Sequence, residues 1–248
     1  MNIRGYSTNL FLTFLITFLC LIIFSCSNSV DRTLTRSVYN WKSSFNLNQA
    51  EQTWLEENSI NKIYVRFFDV DWNPNINQAV PVGDVQIGKS NLSGKEIVPV
   101  VFITNRSIKN IPDSLINELA QNIQKKIHNK ISLLDSMEIN EIQMDCDWTI
   151  STKEKYFKLL EIIRTDCIKD SIILSATIRL HQVKFSNKTG IPPVDRGMLM
   201  FYNMTDVTDM KTKNSIFDSN TAERYLVNFE SYPLELDVVL PAFSWVCH

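Results

Sequence analysis

The segment Glu141-Ile142-Gln143-Met144-Asp145-Cys146-Asp147-Trp148 places two carboxylates two residues apart at the end of an otherwise mostly apolar run. Side chains alternate faces along a strand, so Gln143, Asp145 and Asp147 share one side while Ile142, Met144 and Cys146 share the other. Two neighbouring acids can split their pKa values, one keeping its proton as a general acid while the other ionises. That pairing suits acid/base cleavage of a glycosidic bond, with Asp147 as the expected general acid and Asp145 as its electrostatic partner. A structural role competes with this: an Asp at a strand end also caps the following helix or pairs with an arginine, here Arg66 or Arg179.

Other strand-like segments end in the same kind of residue. They offer Asp69, Asp71 and Trp72; Thr104 and Asn105; Arg179 and His181; Tyr202, Asn203 and Asp206; and Ser244 and Trp245. Asp69 and Asp71 share a face, and either could supply a second carboxylate. Alternation also puts Ser175, Thr177, Arg179 and His181 together, opposite Leu174, Ala176 and Ile178. Carboxylates beside aromatic rings suit a sugar, whose hydroxyls take hydrogen bonds and whose ring faces stack on aromatics. Trp72, Trp148 and Trp245 are the expected platform, with Tyr202 and Asn203 as orienting groups. Arg179 on the inward face fits pairing with a carboxylate better than contacting substrate. His181 is the single histidine near this edge, since His128 falls on a helix and His248 at the terminus. A three-histidine metal centre cannot be assembled, and no cofactor is expected. Trp41 and Trp54, and the set Met198, Met200 and Met204, read as packing residues.

Positioning these residues at one edge calls for alternating strands and helices. Strands are expected at Lys62 to Phe68, Ile97 to Ile103, Glu141 to Trp148, Ser171 to Leu180, Gly197 to Tyr202 and Leu236 to Pro241. Helices are expected at Asn48 to Glu57, from Pro112-Asp113 with the stripe Leu115, Ile116, Leu119, Ile123 and Ile127, along Lys153 to Ile163, and at Thr221 to Phe229. Asn73 to Gly94 reads as an excursion. No hairpin dipeptide joins the strands, so the pattern is a parallel α/β protein. No strand is followed by a glycine-rich phosphate turn, and polar residues follow almost every strand, which favours a (β/α) barrel of the TIM type over a doubly wound sheet. About six strands make that barrel incomplete, and the expectation is of a truncated chain, because Trp245-Val246-Cys247-His248 directly follows a strand.

The first residues carry a different signal. Arg4 precedes an apolar run from Leu10 to Phe24, shorter than the roughly twenty residues that span a membrane and fitting a secretory signal peptide. Ile23-Phe24-Ser25-Cys26 resembles the bacterial lipoprotein box, which implies acylation of Cys26 and a lipid anchor at the cell envelope, on the outer membrane or the periplasmic face. An ordinary signal peptide or an uncleaved anchor is the alternative. The expected organisation is signal peptide 1–25, lipidated tether 26–45 and barrel 46–248. The 248 residues carry a net charge of -2, which becomes -3 once Arg4 leaves with the signal. With no basic stripe, a nucleic-acid partner is not expected. Of five cysteines, Cys146, Cys167 and Cys247 remain, with no paired metal or disulfide spacing.

Glu141 to Trp148, Ser175-Ala176-Thr177, Met200-Phe201-Tyr202-Asn203 and Leu240-Pro241-Ala242-Phe243 occur in the order seen in chitinase-like glycoside hydrolases, whose barrels carry a D-x-D-x-E signature. Val65 to Trp72, Pro99 to Asn105, Asp145 to Thr149, Arg179 to Val183 and Pro192 to Gly197 resemble an uncharacterised bacterial family of secreted or lipoprotein barrels, a domain of unknown function. The resemblance covers most of residues 60 to 245 and implies the fold more than the activity. Aligning Asp145 and Asp147 with the signature puts Thr149 where its catalytic glutamate stands, and a threonine cannot protonate a leaving oxygen near neutral pH. Three functions follow as expectations: an envelope glycosidase in which Asp147 takes the acid role with Asp69 or Asp71 as second carboxylate, or in which the acid comes from another strand, such as Asp71 or Asp206; a saccharide-binding lipoprotein that does not cleave; or an envelope scaffold.

Overall fold

The computed structural model describes residues 34–88, 92, 94–134, 139–204 and 214–242. The chain divides into two units, residues 1–35 and 36–248. In the first, only Leu34 and Thr35 are described, and both are exposed. Signal peptide 1–25 and Cys26 therefore lie outside the described residues, as do Asp206, Ser244, Trp245, Cys247 and His248.

The described part of the second unit contains strands β1 (Ser37–Asn40), β2 (Ser44–Phe45), β3 (Lys62–Asn73), β4 (Gln78–Val82), β5 (Gln86–Ile87), β6 (Glu96–Ile103), β7 (Glu141–Asp145), β8 (Ile173–Arg179), β9 (Arg196–Met200) and β10 (Leu236–Val239). Its α-helices are α1 (Gln49–Glu57), α2 (Asn105–Asn110), α3 (Ile116–Ile131), α4 (Lys153–Lys169), α5 (Leu180–Lys184), α6 (Ser186–Thr189) and α7 (Ser219–Tyr225). The main sheet runs β1-β3-β6-β7-β8-β9-β10, every neighbouring pair parallel, with β4 antiparallel to the far end of β3. The six expected strands all form. A seventh, β1, comes from residues assigned to the tether, so the barrel begins well before residue 46.

The sheet is curled. Tyr64 on β3 and Val98 and Val100 on β6 pack with Met198 and Met200 on β9, although β7 and β8 lie between them in the sheet. The Tyr39 hydroxyl on β1 likewise donates to Gln143 Oε1 on β7 across two intervening strands (2.6 Å). Such chords require a sheet bent round its own inner face, a half-barrel that is an incomplete TIM-type barrel. The convex face is sealed by the expected helices: α3 buries Ile116, Leu119, Ala120, Ile123 and Ile127, and α4 buries Tyr156, Leu159, Leu160, Ile163 and Cys167. These stripes recur every three or four residues, as one helical face must.

The concave face holds a polar column along β7. Glu141 is fully buried and accepts from Lys62 Nζ (2.6 Å) and Ser175 Oγ (2.6 Å), and Gln143 Nε2 donates to Ser175 Oγ (3.2 Å). Each buried polar atom on this path finds a partner, which offsets the cost of taking it from water. On β3 a bulge between Arg66 and Phe68 sends both Phe67 and Phe68 to the outer core and leaves Arg66, Asp69 and Asp71 on the concave side.

Candidate functional site

Asp145, the last residue of β7, is 5% exposed and accepts from Thr177 Oγ1 on β8 at 2.6 Å. Burial drives its pKa up to about 6; the Thr177 hydrogen bond and the charge of Arg179 oppose this, and Asp147 and Asp69 reinforce it. Two residues on, beyond the strand, Asp147 comes into the open with a half-exposed side chain. There it pairs with Arg179 at the end of β8 in a two-pronged contact, Nε to Oδ1 and Nη2 to Oδ2, the latter 3.1 Å. Burial pulls the Arg179 pKa down, but the hydrogen bond and charge of Asp147 outweigh it and raise the value overall. The guanidinium also lies 6.0 Å from the centre of the Tyr202 ring. Aromatic ring, guanidinium and carboxylate thus form one connected assembly.

Around this assembly is a pocket of about 450 Å³, whose walls include Asp147, Arg179, His181, Tyr202, Asn203 and Tyr225. Asn203 adopts a left-handed backbone (φ 54) and its N–H donates to the Ile216 carbonyl at 2.8 Å, which fixes the chain as it leaves β9. His181 is not on the strand face of Arg179: β8 ends at Arg179 and α5 begins at once, so His181 reaches the pocket from the first turn of a helix. Burial lowers its pKa, only partly opposed by Asp147, so it stands neutral near pH 7.

Trp148 does not provide a sugar platform. Although it runs along the pocket wall, it is 1% exposed; its ring stacks on Tyr156 (centroids 5.4 Å apart) and its Nε1 donates to the Thr189 carbonyl at 3.0 Å. Alternation itself puts Trp148 on the face of Met144 and Cys146, and there it packs against Tyr156 and Phe157 of α4. Trp41 and Trp54, expected to be packed, are 40% and 51% exposed. Trp72 is half-buried against the outer core beside β4 and does not line the pocket.

Asp69 and Asp71 share the concave side as expected, yet neither is open to act as an acid. Arg66 grips Asp69 through Nε (2.6 Å) and Nη2. Arg106 on α2 grips Asp71 in the same way (Nε 2.6 Å), Thr104 Oγ1 adds a hydrogen bond at 2.7 Å, and the Arg106 contact above all holds this carboxyl well below the usual carboxylate range. Thr149 is occupied locally, its hydroxyl within 3.0 Å of Ser151 Oγ and 3.2 Å of Thr152 Oγ1. Among the described residues, no group of three His, Cys, Asp or Glu side chains could hold a metal ion.

Sequence reasoning missed two contributors. Tyr225 reaches the pocket from α7, with no motif to mark it. Gln182 is fully buried: its Oε1 accepts from the Arg179 N–H (2.8 Å) and its Nε2 donates to the Trp148 carbonyl (3.0 Å). It ties the chain beyond β7 to the end of β8 and so sets the Asp147–Arg179 geometry. The signal was present in the amide three residues after a strand end, the spacing of a helix cap.

No family model and no curated protein matches the chain. Solved structures do resemble it. The spore cortex-lytic enzyme SleL of Bacillus megaterium superposes with a TM-score of 0.50 at 11% identity, over 85% of this chain and 51% of that one. SleL of Bacillus cereus gives 0.47 at 14% identity, over 84% and 51%. A chitinase from Chromobacterium violaceum gives 0.49 at 10% identity, over 83% and 68%. The chain spans about half the length of the two cortex-lytic enzymes. With so little identity the likeness is one of architecture, and it places the chain's half-barrel with the barrel of the Bacillus megaterium enzyme.

Proposed function

We propose that the protein is a saccharide-binding barrel that holds a glycan at its mouth without hydrolysing it, and that a lipidated Cys26 anchors it at the bacterial cell envelope. The observation that carries the non-hydrolytic reading is the state of the mouth's carboxylates. Asp69, Asp71 and Asp147 are each gripped by an arginine, and Thr149 stands where the chitinase-like signature has its acid. A glycosidase needs two carboxyl groups flanking the scissile bond, one free to carry a proton to the leaving oxygen. Arginine forks fix a carboxylate and occupy its oxygens, which suits recognition: the pair offers acceptors and donors side by side to sugar hydroxyls, over a Tyr202 ring that can stack on a pyranose face. The chitinases and cortex-lytic enzymes of similar architecture add a saccharide as the natural ligand class. Binding to an oligosaccharide panel by the purified protein, lost in Arg179→Met and Tyr202→Ala, tests the reading; absence of binding across the panel would sink it. Globomycin-sensitive processing and loss of membrane fractionation in Cys26→Ala test the anchor, and unchanged fractionation would remove it.

One observation favours cleavage instead. Asp145 has a pKa of about 6 and so retains a proton in part of the population near neutrality, as a general acid must. Against it, Asp145 is 5% exposed, hydrogen-bonded to Thr177 and not among the residues that line the pocket. New reducing ends that disappear in Asp145→Asn would establish this second reading over the first.

A further inference from the structure

We infer that the ligand is a glycoside with an apolar aryl aglycone, which fills a second hollow beside the sugar pocket; this rests on the saccharide-binding reading above. The second hollow, of about 580 Å³, is lined chiefly by Thr149, Ile150, Ser151, His181, Phe185 and Lys188. Thr149 and His181 line both hollows, so the two are adjacent. Across that shared wall the chemistry changes. On the first side stand Asp147, Arg179 and Asn203. On the second, Ile150 is 60% exposed and Phe185 44% exposed. Two large apolar side chains left open beside a charged pocket gain by being covered.

The Phe185 wall is also braced to the first pocket. Lys184 Nζ lies 5.5 Å from the centre of the Phe185 ring and 5.2 Å from that of Tyr225, which lines the sugar pocket. The exposed Ile150 and Phe185 side chains make most of this hollow's wall apolar, with Lys188 and His181 as its nitrogen-bearing members, so a flat apolar group is covered best there. The nearest hydroxyls, those of Thr149 and Ser151, are already within hydrogen-bonding distance of each other (3.0 Å). An aryl group needs no such partners.

The test is calorimetric titration of the full chain with paired methyl and p-nitrophenyl glycosides of N-acetylglucosamine and of glucose. Covering the exposed parts of Phe185 and Ile150 makes the p-nitrophenyl member of a pair about tenfold tighter. Phe185→Ala and Ile150→Ser, both at exposed positions, should each remove most of that advantage and leave the methyl glycoside unchanged. Equal affinities within every pair, or an advantage that survives in both variants, overturn the aglycone hollow and leave saccharide binding standing. No binding by any glycoside overturns both.

Discussion

Asp145→Asn is expected to stabilise the protein, and by an amount that grows with pH. An unfolded aspartate titrates at about 3.9, and burial lifts Asp145 to about 6 in the fold. Between these values the native state holds a proton that the unfolded chain has lost, so stability falls as pH rises. The sign follows from a raised folded value: Asp145 costs nothing below pH ~4, and its full penalty is reached above pH ~6, a difference of roughly 3 kcal/mol. Asparagine resembles the protonated acid, and its carbonyl can still accept from Thr177 Oγ1. Urea unfolding of both proteins, followed by tryptophan fluorescence from pH 4 to pH 8, isolates this group because other carboxylates cancel in the comparison. The variant should match the wild type within about 1 kcal/mol at pH 4 and exceed it by roughly 3 kcal/mol at pH 7. A difference that stays flat, or one in which the variant loses ground as pH rises, would refute a buried, desolvated Asp145.

Three further outcomes separate the scaffold from the site. Trp148→Ala empties a packed space among Tyr156 and Phe157 and should cost about 3–5 kcal/mol, read as a lowered melting temperature; a loss under 1 kcal/mol would put the ring back at the surface. Gln182→Leu leaves the Arg179 N–H and the Trp148 carbonyl without their buried partner and should cost about 2–5 kcal/mol while weakening ligand binding in parallel; unaltered stability would show that the tie is not needed. Arg179→Met removes an ion pair whose Asp147 partner is half-exposed, so stability should change by less than about 1 kcal/mol while saccharide binding falls at least tenfold; a large stability loss would mark the pair as structural.

The parallel strands were legible because each is an apolar run of barrel length bounded by a helix, and the Asp145–Asp147 face because alternation holds through β7. What escaped detection shares a physical cause: it depends on contacts distant in sequence. β1 is four residues of unremarkable composition, and its place comes from Tyr39 stacking on Tyr64 and reaching Gln143. The bulge at Phe67 resets the alternation of β3, so Asp69 and Asp71 face inward with Arg66 rather than opposite it. His181 follows a strand end, and alternation carried past that end assigns a face that the backbone no longer obeys, whereas Trp148 keeps the parity of Met144 and Cys146 and lies buried with them. The arginine grips were half visible. Arg66 and Arg179 were foreseen as carboxylate partners, whereas Arg106 sits on α2, a short helix that was not expected.

The central claim, recognition without cleavage, is tested most directly by one incubation. The purified protein is mixed with an oligosaccharide panel, complexes are counted by native mass spectrometry, and the same samples are assayed for new reducing ends after prolonged incubation. The account predicts saturable complexes with intact oligosaccharides and no new reducing ends from pH 5 to pH 8. Shortened oligosaccharides that accumulate with time, and vanish in Asp145→Asn, would contradict it.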